Sequence, residues 1–142
     1  MKDRIFVDTW GWVALGHKKD SHHQDVVRFY REAAKRKAEI VSSDFVLDEL
    51  ITLLFRWENN IEALEFIEGL LSSAALGYIK IEKISSEHFN QAWDLRRRFK
   101  DAPFISFTDL TSMVLMKEMG IKNILTGDQH FFQVGFGFQK VF

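Results

Sequence analysis

Four acids stand where this chain could do chemistry: Asp8, Glu49, Asp109 and Asp128. Asp8 ends the apolar run Ile5-Phe6-Val7, and Asp128 follows Ile121–Thr126 after a single glycine. Asp109 opens a long apolar segment, and Glu49 sits among Leu47, Leu50 and Leu54. Gathered in one cleft, four carboxylates repel strongly unless a cation neutralises them. Hard oxygen donors suit Mg²⁺ or Mn²⁺ rather than zinc or copper. An ion held in that way activates a water and stabilises an in-line phosphoryl transition state.

Each acid also has a plainer reading. Ser106-Phe107-Thr108-Asp109 matches a capping box, so Asp109 taken alone reads as a helix-start acid. Gly127-Asp128 alone reads as a turn. Glu49 lies off the stripe Leu47, Leu50, Ile51 and Leu54, where a solvated surface acid is expected. Asp8 resists such a reading, because an acid directly after a buried strand is costly without a partner.

The elements that must position these acids alternate between short apolar runs and helical patterns. Ile5-Phe6-Val7 predicts a first strand, and Glu39–Ser42 a second. A first helix is expected after His22-His23, with Val26, Phe29, Tyr30, Ala33 and Ala34 at helical spacing. Ser43 offers an N-cap to the next helix, with Asp44 in its first turn. Asn59 or Asn60 breaks that helix, and another runs to about Ala75, with Gly77 suited to close it. Tyr78–Glu82 alternates as a half-buried strand does. Ser85 or Ser86 caps a helix whose inner side is expected to carry Phe89, Ala92, Trp93 and Phe99. The helix holding Leu110, Met113, Val114, Leu115, Met116 and Met119 is apolar nearly all round, hence buried, and Gly120 ends it. A strand over residues 121–126 and a last one within Phe138–Phe142 complete the order. The alternation implies an α/β domain with a largely parallel sheet. Such a sheet binds ligands outside the carboxyl ends of its strands, where Asp8, Asp109 and Asp128 fall.

Composition agrees with one folded domain over residues 1–142. The chain is 46% hydrophobic and 27% charged, which excludes a disordered or collagen-like protein. No apolar run approaches a membrane span, and no signal-type segment opens the chain, so a cytoplasmic protein is the expectation. The absence of Cys removes disulfides, thiolate zinc sites and thiol catalysis. A net charge of −1 does not suit a nucleic-acid coat but allows an enzyme that meets nucleic acid through a local patch and a metal.

Four segments, in this order, resemble the motifs of PIN domains, and in particular the VapC-type toxins of toxin–antitoxin pairs. They are Phe6-Val7-Asp8-Thr9, Ser43-Asp44-Phe45-Val46-Leu47-Asp48-Glu49-Leu50, Ser106-Phe107-Thr108-Asp109 and Leu125-Thr126-Gly127-Asp128-Gln129-His130-Phe131. Each motif is weak alone; the ordered set spans nearly the whole chain. The resemblance implies a three-layer α/β/α sandwich and a Mg²⁺- or Mn²⁺-dependent endoribonuclease leaving 5′-phosphate and 3′-hydroxyl ends. It implies a metal site of Asp8, Glu49, Asp109 and Asp128, supported by Thr9 and Thr126. It further implies an RNA substrate, an antitoxin partner inserted at the acidic cleft, and a homodimer. Trp10 and Trp12 depart from the small residues common after the first Asp and leave the shape of the cleft entrance open. Two rival readings make different demands on the sequence. A non-catalytic PIN-fold binding module should lack one or more of the acids, and all four are present. A phosphatase of the haloacid dehalogenase type needs an Asp where Trp10 stands.

Arg96, Arg97, Arg98 and Lys100 form a charge run that reads equally as an RNA-phosphate contact or a solvated helix face. His17, His22 and His23 read as loop residues leading into the first helix. Phe45, Glu49, Thr52 and Arg56, with Trp10, Trp12 and Trp57, outline a partner surface, although ordinary packing is preferred for Trp57. Phe131, Phe132, Phe136 and Phe138 are expected to close the core near the C-terminus.

Overall fold

The structure is a computed structural model and describes residues 3–142. Five strands form one sheet: β1 (Arg4–Val7), β2 (Glu39–Ser43), β3 (Ile79–Glu82), β4 (Asn123–Leu125) and β5 (Gln139–Lys140). Their order is β3-β2-β1-β4-β5, and every neighbouring pair is parallel. The chain passes from β1 outward to β2 and β3, then returns to place β4 on the other side of β1. Right-handed crossovers therefore put the helices of the two halves on opposite faces of the sheet, giving the expected three layers. Strand order reverses between β1 and β4, and a parallel sheet opens its ligand crevice at that switch point.

The helices between the strands are α1 (Thr9–Gly16), α2 (His23–Lys35), α3 (Asp44–Trp57), α4 (Asn60–Ala75), α5 (Ser86–Arg98), α6 (Phe107–Met119) and α7 (His130–Gln133). Most begin on the residues that local chemistry selects. The side chains of Ser43, Asn59, Ser85 and Ser106 each accept a backbone N–H at a helix start. Gly77 and Gly120 adopt left-handed conformations just past α4 and α6, where a Cβ would be strained. Eight consecutive residues of α6, Asp109–Met116, are buried, as its nearly all-round apolar sequence predicts.

Several expectations are corrected. Residues 9–16 form a helix, so the one beginning at His23 is the second. This α1 is apolar on every side and carries no amphipathic stripe to betray it. Trp12 lies in the core at 2% exposure, its indole N–H donating to Ser42 Oγ at 3.0 Å, and so is not part of a surface. On α3, Ile51 is exposed although it shares the Leu spacing, and Trp57 is exposed rather than packed. On α5 the inner side runs through Ala92, Leu95 and Phe99, and small Ala92 allows close packing. Phe89 and Trp93, expected inside, are about half exposed on its shoulder. Ala34 of α2 is likewise exposed. The last two strands are shorter than expected, at three and two residues. Phe131 and Phe138 are buried, and Phe132 and Phe136 pack against the core, as anticipated.

One close approach fixes α1 against the sheet. A Cβ on Gly11 would fall 2.8 Å from the carbonyl oxygen of Leu125 and 2.8 Å from Val7 Cγ1. The oxygen belongs to β4 and has little room to yield. Gly11→Ala should therefore cost about 1–3 kcal/mol, the usual overpacking penalty. Thermal denaturation checks this; an unchanged midpoint would show that α1 can lift from the sheet without loss.

Candidate active site

Asp8 is the last residue before α1 and serves as its N-cap, with Oδ1 accepting the Gly11 N–H at 3.0 Å. Its other oxygen accepts the Thr126 hydroxyl at 2.6 Å. Thr126 Oγ1 in turn accepts the backbone N–H of Asp128 at 3.0 Å. A relay thus joins the ends of β1 and β4 across the switch point and sets Asp128 beside Asp8. The sequence dictates this locally: Asp8 and Thr126 each directly follow a strand, and adjacent parallel strands bring those ends together.

Asp109 arrives from the other direction, at the third position of α6. The capping box is present: Asp109 N donates to Ser106 Oγ at 3.0 Å, and Asp109 Oδ2 accepts from Ser106 N at 3.3 Å. The same Oδ2 lies 2.7 Å from His130 Nε2, which is 3.8 Å from Asp128 Oδ2. Ligand atoms of Asp109, Asp128 and His130 all lie within 4.8 Å of one another. The capping and cluster readings of Asp109 therefore hold together.

Electrostatics mark the same place. Burial raises Asp8 well above the ordinary carboxylate range; the Thr126 and Gly11 hydrogen bonds offset part of this, and Asp128 and Asp109 add repulsion. Asp128 is also raised, by partial burial and by Asp109, with His130 opposing. The recorded partners of Asp8 are a hydroxyl and an amide, not a Lys or Arg. Among the described residues, one buried side-chain polar atom lacks a hydrogen-bond partner, and it is Oγ1 of Thr9, next to Asp8. An acid cluster in which the buried Asp8 has no cationic hydrogen-bond partner, followed in sequence by an orphaned buried hydroxyl, suits a divalent cation, so the residues present fit one.

The remaining sequence candidates lie on other elements. Glu49 is half-buried in the second turn of α3 and, like Asp8, is not a member of the Asp109, Asp128, His130 set. Arg96 faces inward: its guanidinium donates to the carbonyls of Phe99 and Ala102, at 2.7 and 2.8 Å, and of Ile105. This leaves Arg97, Arg98 and Lys100 as the exposed part of the basic run. His17 pairs with Glu58 at 3.2 Å, and His23 Nδ1 meets the Ala14 carbonyl at 2.8 Å, so neither stands free in a loop. Sequence reasoning gave His130 no role. The signal was its place two residues after Asp128 in the last motif. Trp10, the departure noted after Asp8, lies over Gly127, where a Cβ would fall 2.3 Å from its ring. Its indole also meets His22 and Phe142, so an aromatic wall stands beside Asp128.

The PIN domain family matches residues 5–137 of this chain. The chain belongs to the PIN-domain family. Within it, the 23S rRNA-specific endonuclease VapC20 of Mycobacterium tuberculosis is 32% identical over 132 residues, covering 93% of this chain and 95% of that protein. The crystal structure of that VapC20, described as a Sarcin-Ricin loop cleaving toxin, superposes with a TM-score of 0.78 at 30% identity. It covers 93% of this chain and 95% of the other. VapBC2 from Rickettsia felis, crystallised with a promoter DNA fragment, shares the PIN fold at a TM-score of 0.70 and 17% identity, each chain covered to 93%. Among the described residues, no helix of this PIN domain is long and apolar enough to cross a membrane.

Proposed function

We propose that this PIN domain is a Mg²⁺- or Mn²⁺-dependent endoribonuclease, the toxin of a toxin–antitoxin pair, and that it cuts ribosomal RNA. The observation that carries the reading is the buried Asp8, held by a hydroxyl and an amide and set beside Asp109 and Asp128 at the switch point of the sheet. The relation to VapC20 supports the substrate class. Asp8, Asp109 and Asp128 would hold the ion, with Glu49 contributing from α3. When bound, the ion supplies activation of water and stabilisation of charge on the phosphoryl group.

The protein's own groups fix the geometry. Thr126 and the Gly11 amide orient both oxygens of Asp8. The Ser106 amide and His130 hold Asp109 Oδ2, and the Thr126 hydroxyl anchors the backbone at Asp128. Thr9, the residue after Asp8, carries a buried hydroxyl with no hydrogen-bond partner, and Lys100, Arg97 and Arg98 offer positive charge to RNA phosphates. Exposed apolar side chains on α3 and α4, among them Phe55, Trp57, Ile61 and Leu64, support cover by a protein partner. An antitoxin and a second copy of the chain are the partners proposed.

The test is purified protein incubated with intact ribosomes and with protein-free ribosomal RNA in Mn²⁺, the cuts being mapped by primer extension. One or a few discrete cuts are expected. Intact RNA at enzyme concentrations equal to the ribosome would contradict the reading.

A further inference from the structure

An exposed aromatic ring stands at the edge of the acid cluster, on a loop that the protein has taken care to immobilise. The segment 99–106 joins α5 to α6, and Arg96 binds the carbonyls of Phe99, Ala102 and Ile105 within it. Three carbonyls of one short loop thus share a single planar guanidinium, a geometry that Lys cannot reproduce. Ile105 is buried at 3% exposure and Pro103 limits the backbone, yet Phe104 between them is 67% exposed. The Phe104 ring lies 6.1 Å from that of His130, whose Nε2 is 2.7 Å from Asp109 Oδ2. His130 is backed in turn by the buried Phe131, at 5.5 Å and nearly parallel. The platform is therefore rigid, solvated and one imidazole away from the carboxylates.

We propose that Phe104 stacks on an unpaired base of the RNA beside the scissile phosphate, and that Arg96 is the positioning residue that holds its loop. This rests on the ribonuclease reading above. Proteins that read single-stranded or looped RNA do so by stacking splayed bases on exposed aromatic rings. A protein-docking role would call for a contiguous apolar patch. Phe104 instead shares its loop with the exposed charges of Lys100 and Asp101 and borders the acid cluster. A base stacked there leaves its own phosphate within reach of Asp109 and Asp128, so the contact sets which nucleotide lies at the cut.

The test uses the full chain and a fluorescein-labelled RNA stem-loop spanning the site that the parent cuts. Anisotropy in the Asp8→Asn background gives affinity without cleavage, and steady-state kinetics in the parent background give kcat and KM. Phe104→Ala should weaken binding about ten-fold, the scale of one lost base stack. It should raise KM with kcat near the parental value, since stacking is present before and during reaction. The thermal midpoint should stay put, because the ring is exposed. Phe104→Trp should restore affinity and Phe104→Leu should not. On a series of stem-loops each lacking one base near the cut, the Phe104→Ala penalty should vanish at one position. Unchanged RNA affinity in Phe104→Ala, full rescue by Leu, or a penalty that persists on every abasic stem-loop would overturn the stacking role. So would intact RNA binding with weakened capture of the antitoxin, which would make Phe104 a protein contact. A parent that cuts no RNA in Mn²⁺ would overturn the ribonuclease reading itself, and the stacking role with it.

Discussion

Asp8→Asn should abolish RNA cleavage while raising the thermal midpoint of the metal-free protein at neutral pH. The substitution keeps the acceptor for the Gly11 amide, and Asn is as good an N-cap as Asp. It removes a buried negative charge whose partners are polar but uncharged. The pH dependence has a definite sign. Burial raises the carboxyl of Asp8 above its unfolded value of about 3.9. Its favourable contribution is therefore complete below about pH 3.9 and is lost as pH rises through the folded value. At neutral pH without metal the ionised group destabilises the fold, and Asn relieves that. The gain should widen as pH rises from the acid range to neutrality in chelator, at roughly 2–4 °C for each kcal/mol relieved. Added Mn²⁺ should raise the midpoint of the parent more than that of the variant. The loss of a metal ligand forfeits several kcal/mol of transition-state stabilisation, so cleavage should fall by at least about a thousandfold. Near-parental cleavage would remove Asp8 from the site, and a lower midpoint in chelator would show that its charge is compensated in the fold.

The second large effect separates the two duties of Asp109. Asp109→Asn preserves an acceptor for the Ser106 amide and leaves the Ser106 hydroxyl cap untouched. It gives up a negative charge in the first turn of α6, worth about 0.3–1 kcal/mol against the helix dipole. Against that loss stands relief of repulsion with Asp8 and Asp128. Stability should change little, and cleavage should fall as far as in Asp8→Asn. Ser106→Ala should do the reverse: it should cost about 0.5–2 kcal/mol through the lost cap and keep cleavage of the parental order. Thermal melts paired with cleavage rates on both variants decide the matter. If Asp109→Asn lowered the midpoint clearly and cut RNA at the parental rate, capping would be its whole role.

The parts of the molecule that were legible beforehand are those governed by local chemistry. Ser43, the pair Ser85-Ser86 and Ser106 marked helix starts because an N-cap hydroxyl satisfies a backbone N–H whatever the tertiary surroundings. Gly77 and Gly120 marked helix ends because their positive φ favours glycine. Asp8 stood out because an acid after a buried strand requires an explanation. Helix α1 was missed for the converse reason: buried on nearly every side, it shows no periodic stripe. Phe89 and Trp93 were misplaced because spacing identifies neighbours on a helix but not which side meets the protein. On α5 the small Ala92 marked the packed side. Arg96 read as one of four equivalent charges, whereas only the fold of the loop after it shows the carbonyls it serves. His130 escaped notice because its partner, Asp109, lies 21 positions away. Glu49 remains the acid that geometry ties least to the others, since the interactions of Asp8, Asp109 and Asp128 described above do not include it.

The measurement that bears most directly on the central claim follows RNA cleavage by the purified parent as its divalent ion is removed and returned, with Asp8→Asn prepared in parallel. The account predicts cutting in Mg²⁺ or Mn²⁺, none in excess chelator, recovery on adding the ion back, and none by the variant. The products should carry 5′-phosphate and 3′-hydroxyl ends, the outcome when water attacks phosphorus and the bond to the 3′-oxygen breaks. Cutting that continues in chelator would contradict a metal-dependent site at Asp8, Asp109 and Asp128, and fragments ending in a 2′,3′-cyclic phosphate would place the chemistry on the RNA's own 2′-hydroxyl.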